Sequence, residues 1–102
     1  MSIKVLIADD HALLRQGIRG VLDFEDDIEV VGECEEGQDT LAKALVLQPD
    51  ILLLDLNMPG LSGLEVCRQL LNARSKVKII ALTIHDNDNY VVELLKNGAK
   101  GY

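Results

Sequence analysis

The chain is poor in cations. Its 102 residues carry 10 lysines and arginines against 17 aspartates and glutamates, a formal net charge of −7 with both histidines neutral. Nucleic-acid affinity comes mainly from clustered Lys and Arg, so this balance argues against phosphate-backbone binding by this segment. Any contact with DNA is expected from another domain. Cysteine is scarce too. Cys34 and Cys67 have neither metal-ligand spacing nor a signal-peptide context, which reads as a cytoplasmic chain with reduced thiols. No apolar run approaches membrane-spanning length and no basic-then-apolar leader precedes Ile3, so no membrane contact is expected. Repeats, low-complexity stretches and linkers are missing, which excludes a second domain hidden within these residues. What is present is ordinary globular composition, 48% hydrophobic and 26% charged, at a length that buries a core without staples.

Short apolar runs alternate with segments of helical period. Ile3 to Ala8 is rich in β-branched residues and Leu and stops at Asp9-Asp10, the pattern of a buried strand. Leu14, Ile18, Val21 and Leu22 then share one helical face. Ile28, Val30 and Val31 form a second strand ending at Gly32, and Asp39 is the expected N-cap of a helix buried through Leu41, Ala44 and Leu45 and stopped by Pro49. Ile51 to Leu54 is a third strand running into Asp55, after which Asn57-Met58-Pro59-Gly60 breaks the regular backbone. Ser62 and Glu65 have capping-box spacing, which predicts a helix with Leu64, Cys67, Leu70 and Leu71 inward. Val77 to Leu82 is a fourth strand, followed by a polar loop. A fourth helix through Val91, Leu94 and Leu95 ends at Asn97-Gly98. Repeated β-α units with strands apolar on both faces predict an α/β domain of three layers, a parallel sheet covered by helices on both sides.

In an open α/β sheet, ligands collect at the carboxyl ends of strands where the strand order reverses. Asp9 and Asp10 end the first strand and Asp55 the third. If these strands are neighbours they lie roughly 4.8 Å apart, and short carboxylates from both converge on one point. Three carboxylates repel unless a cation or proton intervenes. All-oxygen ligation with room for water and phosphate oxygens suits Mg²⁺, so the cluster reads as a divalent-metal pocket. A carboxylate beside a metal is also a nucleophile for phosphoryl groups. Thr83, at the end of the fourth strand, supplies a hydroxyl donor on the same sheet edge.

Plainer readings stand beside each residue. Asp10 alone is a helix cap, Thr83 a strand-end hydroxyl, and Asn57 a turn former whose site role is through its backbone carbonyl. His11 and His85 have no partner at ligand spacing and read as a solvated helix start and a loop position. Cys67 falls on an apolar stripe as a structural thiol. Gly60 to Gly63 lacks the lysine of a nucleotide-binding phosphate loop.

Four motifs in order, IKVLIADDH from Ile3, ILLLDLNMPGLSG from Ile51, ALTIHD from Ala81 and NGAKGY from Asn97, resemble the receiver domain of two-component response regulators over essentially the whole chain. The stretch ADDHALLRQGIRGVL from Ala8 is similar to the subfamily in which a receiver precedes a LuxR-type helix-turn-helix domain. The resemblance implies a flavodoxin-like sandwich with strand order 2-1-3-4-5. It implies Asp55 as phosphoacceptor, Asp10 directly on Mg²⁺, Asp9 reaching the ion through water, and the Asn57 carbonyl completing the protein ligands. Thr83 would be the switch hydroxyl and Tyr102 the aromatic that follows it, while Met58-Pro59 and Gly63 shape the loop. The implied partners are a sensor histidine kinase, a second copy on phosphorylation, and DNA through a downstream effector domain. The domain would assist its own phosphorylation and dephosphorylation rather than turn over a substrate.

The family also has a Lys at the end of strand five, beyond the position matching Tyr102. Lys96 and Lys100 read instead as part of the fourth helix and its exit. The register therefore leaves the domain truncated near the start of strand five, with Val77 to Leu82 as an exposed apolar edge that would template pairing with another chain. Two alternatives are a receiver-like interaction module independent of phosphorylation and an aspartate-nucleophile phosphohydrolase. The second expects an acid two residues after the nucleophile, where this chain has Asn57.

Overall fold

A computed structural model describes residues 2–82 together with the backbone of 99–101. The expected fourth helix and His85 lie outside the described residues. The elements run β1 (Ile3–Ala8), α1 (Ala12–Asp23), β2 (Ile28–Cys34), α2 (Gly37–Leu47), β3 (Ile51–Asp55), α3 (Gly63–Asn72), β4 (Lys78–Leu82) and β5 (Ala99–Gly101). All the described strand pairs are parallel and the order is β2-β1-β3-β4-β5. Strand pleat separates two faces. Leu6, Ala8, Leu52, Leu54 and Ala81 join Ala44 of α2 and Val66, Cys67 and Leu70 of α3 in one buried cluster. Val5 and Ile7, equally buried, point to the opposite face, where α1 packs beside β2. The flavodoxin-like architecture is thus the one expected.

Several boundaries differ from the sequence reading, each for a local reason. β2 does not stop at Gly32 but continues to Cys34. Val5 pairs with Val30 and Leu6 with Gly32, so Val31 is an extra residue at a bulge, and a Cβ on Gly32 would come 3.1 Å from Leu6 Cδ1. The residue that looked like a strand terminator therefore provides room inside the strand. α2 starts at Gly37, with Glu36 and not Asp39 at the N-cap. The Gly37 N–H donates to Pro59 O at 3.2 Å, which satisfies the first helical donor across space and leaves Asp39 in the first turn beside Lys43. Thr40 is wholly buried and its hydroxyl donates to Glu36 O at 2.7 Å.

Helix faces were also rotated slightly from expectation. Leu45 and Leu71 are exposed, and Val66 takes the inward position on α3 expected of Leu71. α1 buries none of its residues fully, and Val21 is 69% exposed despite lying on its apolar stripe. Ile18 and Leu22 are half-buried, and polar contacts add to the attachment of the helix. Arg15 donates to the Asp9 carbonyl at 2.6 Å and to Glu33 of β2 at 3.1 Å, and Arg19 bonds the same glutamate, holding its carboxyl below the usual range. β5 overturns the expected open edge along part of β4, since Ile79 lies opposite Ala99 and Ile80 opposite Gly101. Lys100 stands within that strand, not at a helix exit.

Candidate functional site

β1 and β3 are neighbours, with Val5 to Ala8 opposite Ile51 to Leu54 in register. β2 leaves β1 on one side and β3 lies on the other, so the chain reverses direction of progress across the sheet at β1. A crevice opens at the carboxyl ends there. The Asp9 N–H donates to Cys34 O at 3.0 Å, which extends the β1–β2 ladder one residue and fixes where the first acid begins. Arg15 binds the carbonyl of the same residue and secures the turn into α1. Across the crevice, the Leu56 N–H donates to Leu82 O at 3.2 Å, continuing the β3–β4 ladder past Asp55.

These constraints bring Asp9, Asp10, His11 and Asp55 together, with one ligand atom from each lying within 4.8 Å of the others. Asp9 and Asp55 are buried, at 1% and 5% exposure. Asp9 Oδ1 accepts from the His11 backbone N–H at 2.7 Å and lies 2.9 Å from His11 Nδ1. The same ring nitrogen is 3.1 Å from Asp10 Oδ1 and 3.8 Å from Asp55 Oδ2. Asp10 and Asp9 hold the imidazole pKa above its ordinary value, chiefly through the hydrogen bond to Asp9.

The two oxygens of Asp55 differ. Oδ1 accepts from the Asn57 N–H at 2.9 Å, whereas Oδ2 is buried with no hydrogen-bond partner. Burial pushes the Asp55 carboxyl up, and the charges of Asp9 and Asp10 add to that, against the Asn57 hydrogen bond. A buried carboxylate oxygen without a donor, in the midst of further acids, has the surroundings that a cation would satisfy. The donor set of three carboxylates and an imidazole fits a divalent metal.

The sequence-predicted acids therefore assemble as expected. Asn57 is adjacent, and its N–H donates to Asp55 Oδ1. Thr83 and Tyr102 lie outside the described residues. His11 was missed as a member of the cluster. Its spacing from the acids shows no ligand motif, and only the turn after β1, pinned by Arg15, swings its ring over Asp9 and Asp10. The loop after Asp55 depends on Gly60, whose φ of +83° is a left-handed conformation, and on Gln38, whose Oε1 accepts from the Leu61 N–H at 3.1 Å.

Comparison with known proteins agrees with this geometry. The family model described as response regulator receiver domain matches residues 5–102. The response regulator GacA of Pseudomonas syringae pv. syringae (strain B728a) is 43% identical over 100 residues, covering 98% of this chain and 47% of that protein. The transcriptional regulatory protein DegU of Brevibacillus brevis is 40% identical over 101 residues, covering 99% of this chain and 43% of DegU. The chain thus spans about half the length of the curated relatives it matches. Among solved structures, the signal receiver domain of the response regulator NarL from Mycobacterium tuberculosis superposes with a TM-score of 0.94 at 31% identity, covering 98% of this chain and 81% of that one. Acids at the ends of adjacent parallel strands, a sheet in the order found and a family match over nearly every residue converge, and the chain belongs to the response regulator receiver domains, signalling domains of two-component systems.

Proposed function

We propose that Asp55 accepts a phosphoryl group from the phosphohistidine of a sensor kinase, with Mg²⁺ held by Asp9, Asp10, Asp55 and the Asn57 carbonyl. The observation that carries this reading is the division of labour within one carboxylate: Oδ1 is held by the Asn57 N–H and Oδ2 is free, buried and aimed into the acidic crevice. Holding one oxygen fixes the orientation of the whole carboxylate, which is what a nucleophile positioned for in-line attack requires. The carboxylate oxygen not taken by the ion forms the new P–O bond as the P–N bond of the donor breaks, and the imidazole leaves with the electron pair. Burial raises the basicity of the carboxylate and with it the nucleophilicity of that oxygen. The ion, when bound, supplies positive charge that neutralises the phosphoryl oxygens.

Phosphorylation replaces a single negative charge with a larger one and three acceptor oxygens, which biases two conformations of the surrounding segment. Thr83 reads out that change as a hydroxyl donor, and Tyr102 follows it. The full protein is a cytoplasmic transcription regulator that pairs with a second copy when phosphorylated and binds DNA through a downstream domain. Relatives described as transcriptional regulators support this, as does the LuxR-family DNA-binding response regulator of Staphylococcus aureus, 26% identical with a TM-score of 0.92. Among the described residues no helix is long and apolar enough to cross a membrane. The test is intact-mass analysis of the full chain and of Asp55→Ala after incubation with a small phosphodonor, with and without Mg²⁺. One phosphoryl group is expected on the parent, only with Mg²⁺, and none on the variant. An unlabelled parent, or equal labelling of both, overturns the assignment.

A further inference from the structure

We propose that His11 is itself a ligand of the cation pocket and determines which ions the pocket prefers, admitting transition-metal dications such as Mn²⁺ more tightly than Mg²⁺. The inference rests on the reading of the crevice as a cation site and adds a member to it. His11 Nδ1 lies 2.9 Å from Asp9 Oδ1 and 3.1 Å from Asp10 Oδ1. Adjacent ligands of a six-coordinate ion with bonds of about 2.1 Å stand about 3 Å apart, so these separations match neighbouring corners of one coordination shell. Asp55 Oδ2, at 3.8 Å from the same nitrogen, falls between an adjacent and an opposite corner.

A simple hydrogen-bonding role for the ring leaves the cluster unsatisfied. Nδ1 carries at most one hydrogen, Asp9 and Asp10 both stand within reach of it, and Asp55 Oδ2 is buried with no partner at all. A dication at the convergence serves all four groups at once. Mg²⁺ takes oxygen ligands almost exclusively, whereas imidazole nitrogen suits Fe²⁺, Ni²⁺, Cu²⁺ and Zn²⁺, and Mn²⁺, though the weakest binder of the transition series, accepts it more readily than Mg²⁺ does. The ring is 67% exposed and contributes nothing to the core, so it reaches the ion without repacking the fold.

The experiment uses Mn²⁺ and Mg²⁺ as probes on the full chain. Pulsed electron paramagnetic resonance of the Mn²⁺ complex is expected to show coupling to a nitrogen nucleus in the parent and none in His11→Asn. Calorimetric titration is expected to show tighter binding of Mn²⁺ than Mg²⁺ by the parent, a loss of roughly tenfold in Mn²⁺ affinity in His11→Asn, and Mg²⁺ affinity within about twofold of the parent. Absence of nitrogen coupling in the parent complex overturns the proposal without reference to any variant, as does an equal loss of affinity for both ions. Asp10→Ala and Asp55→Asn separate this failure from failure of the cation pocket. If they bind Mn²⁺ as tightly as the parent, the ion sits elsewhere and the pocket itself is refuted. If they lose binding while the nitrogen signal is missing, only the role of His11 falls.

Discussion

Asp55 is costly to the metal-free fold and is the residue proposed to carry the chemistry. Its carboxylate is buried beside two other acids, and the resulting pKa lies above the value in an unfolded chain. The folded state therefore binds a proton at Asp55 more tightly than the unfolded state, and stability falls as pH rises through that pKa. Asp55→Asn is expected to raise stability at neutral pH in chelator by about 1 kcal/mol, a gain that vanishes below about pH 3, where both states are protonated. Urea unfolding at the two pH values checks this, and a variant no more stable than the parent at neutral pH contradicts it. Added divalent ion is expected to reverse the order, because only the parent keeps the full ligand set. The cysteines are the opposite case, wholly structural. Burial pushes the Cys67 thiol up to about 11, and Cys34 is raised for the same reason. A thiol reagent is expected to label both only as fast as the chain unfolds, and rapid labelling in native buffer would refute their burial. Of the residues at the site, the three acids were legible because each ends an apolar run at a sheet edge. His11 was not, since its role depends on a turn held by the Arg15 contact with the Asp9 carbonyl, a contact across six residues that no local pattern encodes.

At the scale of elements, helix starts show which signals sequence carries well. Ser62 caps α3 as its spacing predicts, accepting from the Glu65 N–H at 3.2 Å. The reciprocal half of a capping box is replaced. The Glu65 carboxylate bonds Arg68 and Gln69, which hold its pKa down at about 2. Ser62→Ala is expected to cost about 1 kcal/mol in chemical denaturation. α2 shows the limit of such reading. Asp39 looks like a cap, but the helix begins earlier because Gly37 fits against the loop after Asp55, where a Cβ would fall 1.9 Å from the Leu61 carbonyl oxygen. Gly37→Ala is expected to destabilise by about 1–3 kcal/mol and to weaken Mg²⁺ binding, because relieving the clash displaces the loop that carries Asn57. Unchanged stability and ion affinity would contradict that coupling. The apolar stripe of α1 teaches the same lesson from the other side. Periodicity correctly marks the helix, yet Leu14 and Val21 stay exposed, because periodicity records which face is apolar and not what covers it.

For the molecule as a whole, β-α alternation was enough to predict a parallel sheet, and strand order then decides function. Only with β1 beside β3 do Asp9 and Asp55 meet, and only with β2 on the far side of β1 does a crevice open above them. Neither adjacency follows from periodicity; the family resemblance supplied it. The short pairing of β5 with β4 likewise escaped a reading that saw Lys100 as a helix exit, since three residues carry no strand pattern of their own. The net charge of −7 acquires a location in this frame, with three of its carboxylates gathered at one point of the sheet edge. Among these acids Asp55 alone is proposed as the phosphoacceptor. The most direct test is to phosphorylate the full chain with a small phosphodonor and Mg²⁺, trap the acyl phosphate by borohydride reduction, and locate the modified residue by peptide mass spectrometry. Modification at position 55 and nowhere else is the predicted result; modification of Asp9 or Asp10, or none at all, contradicts it.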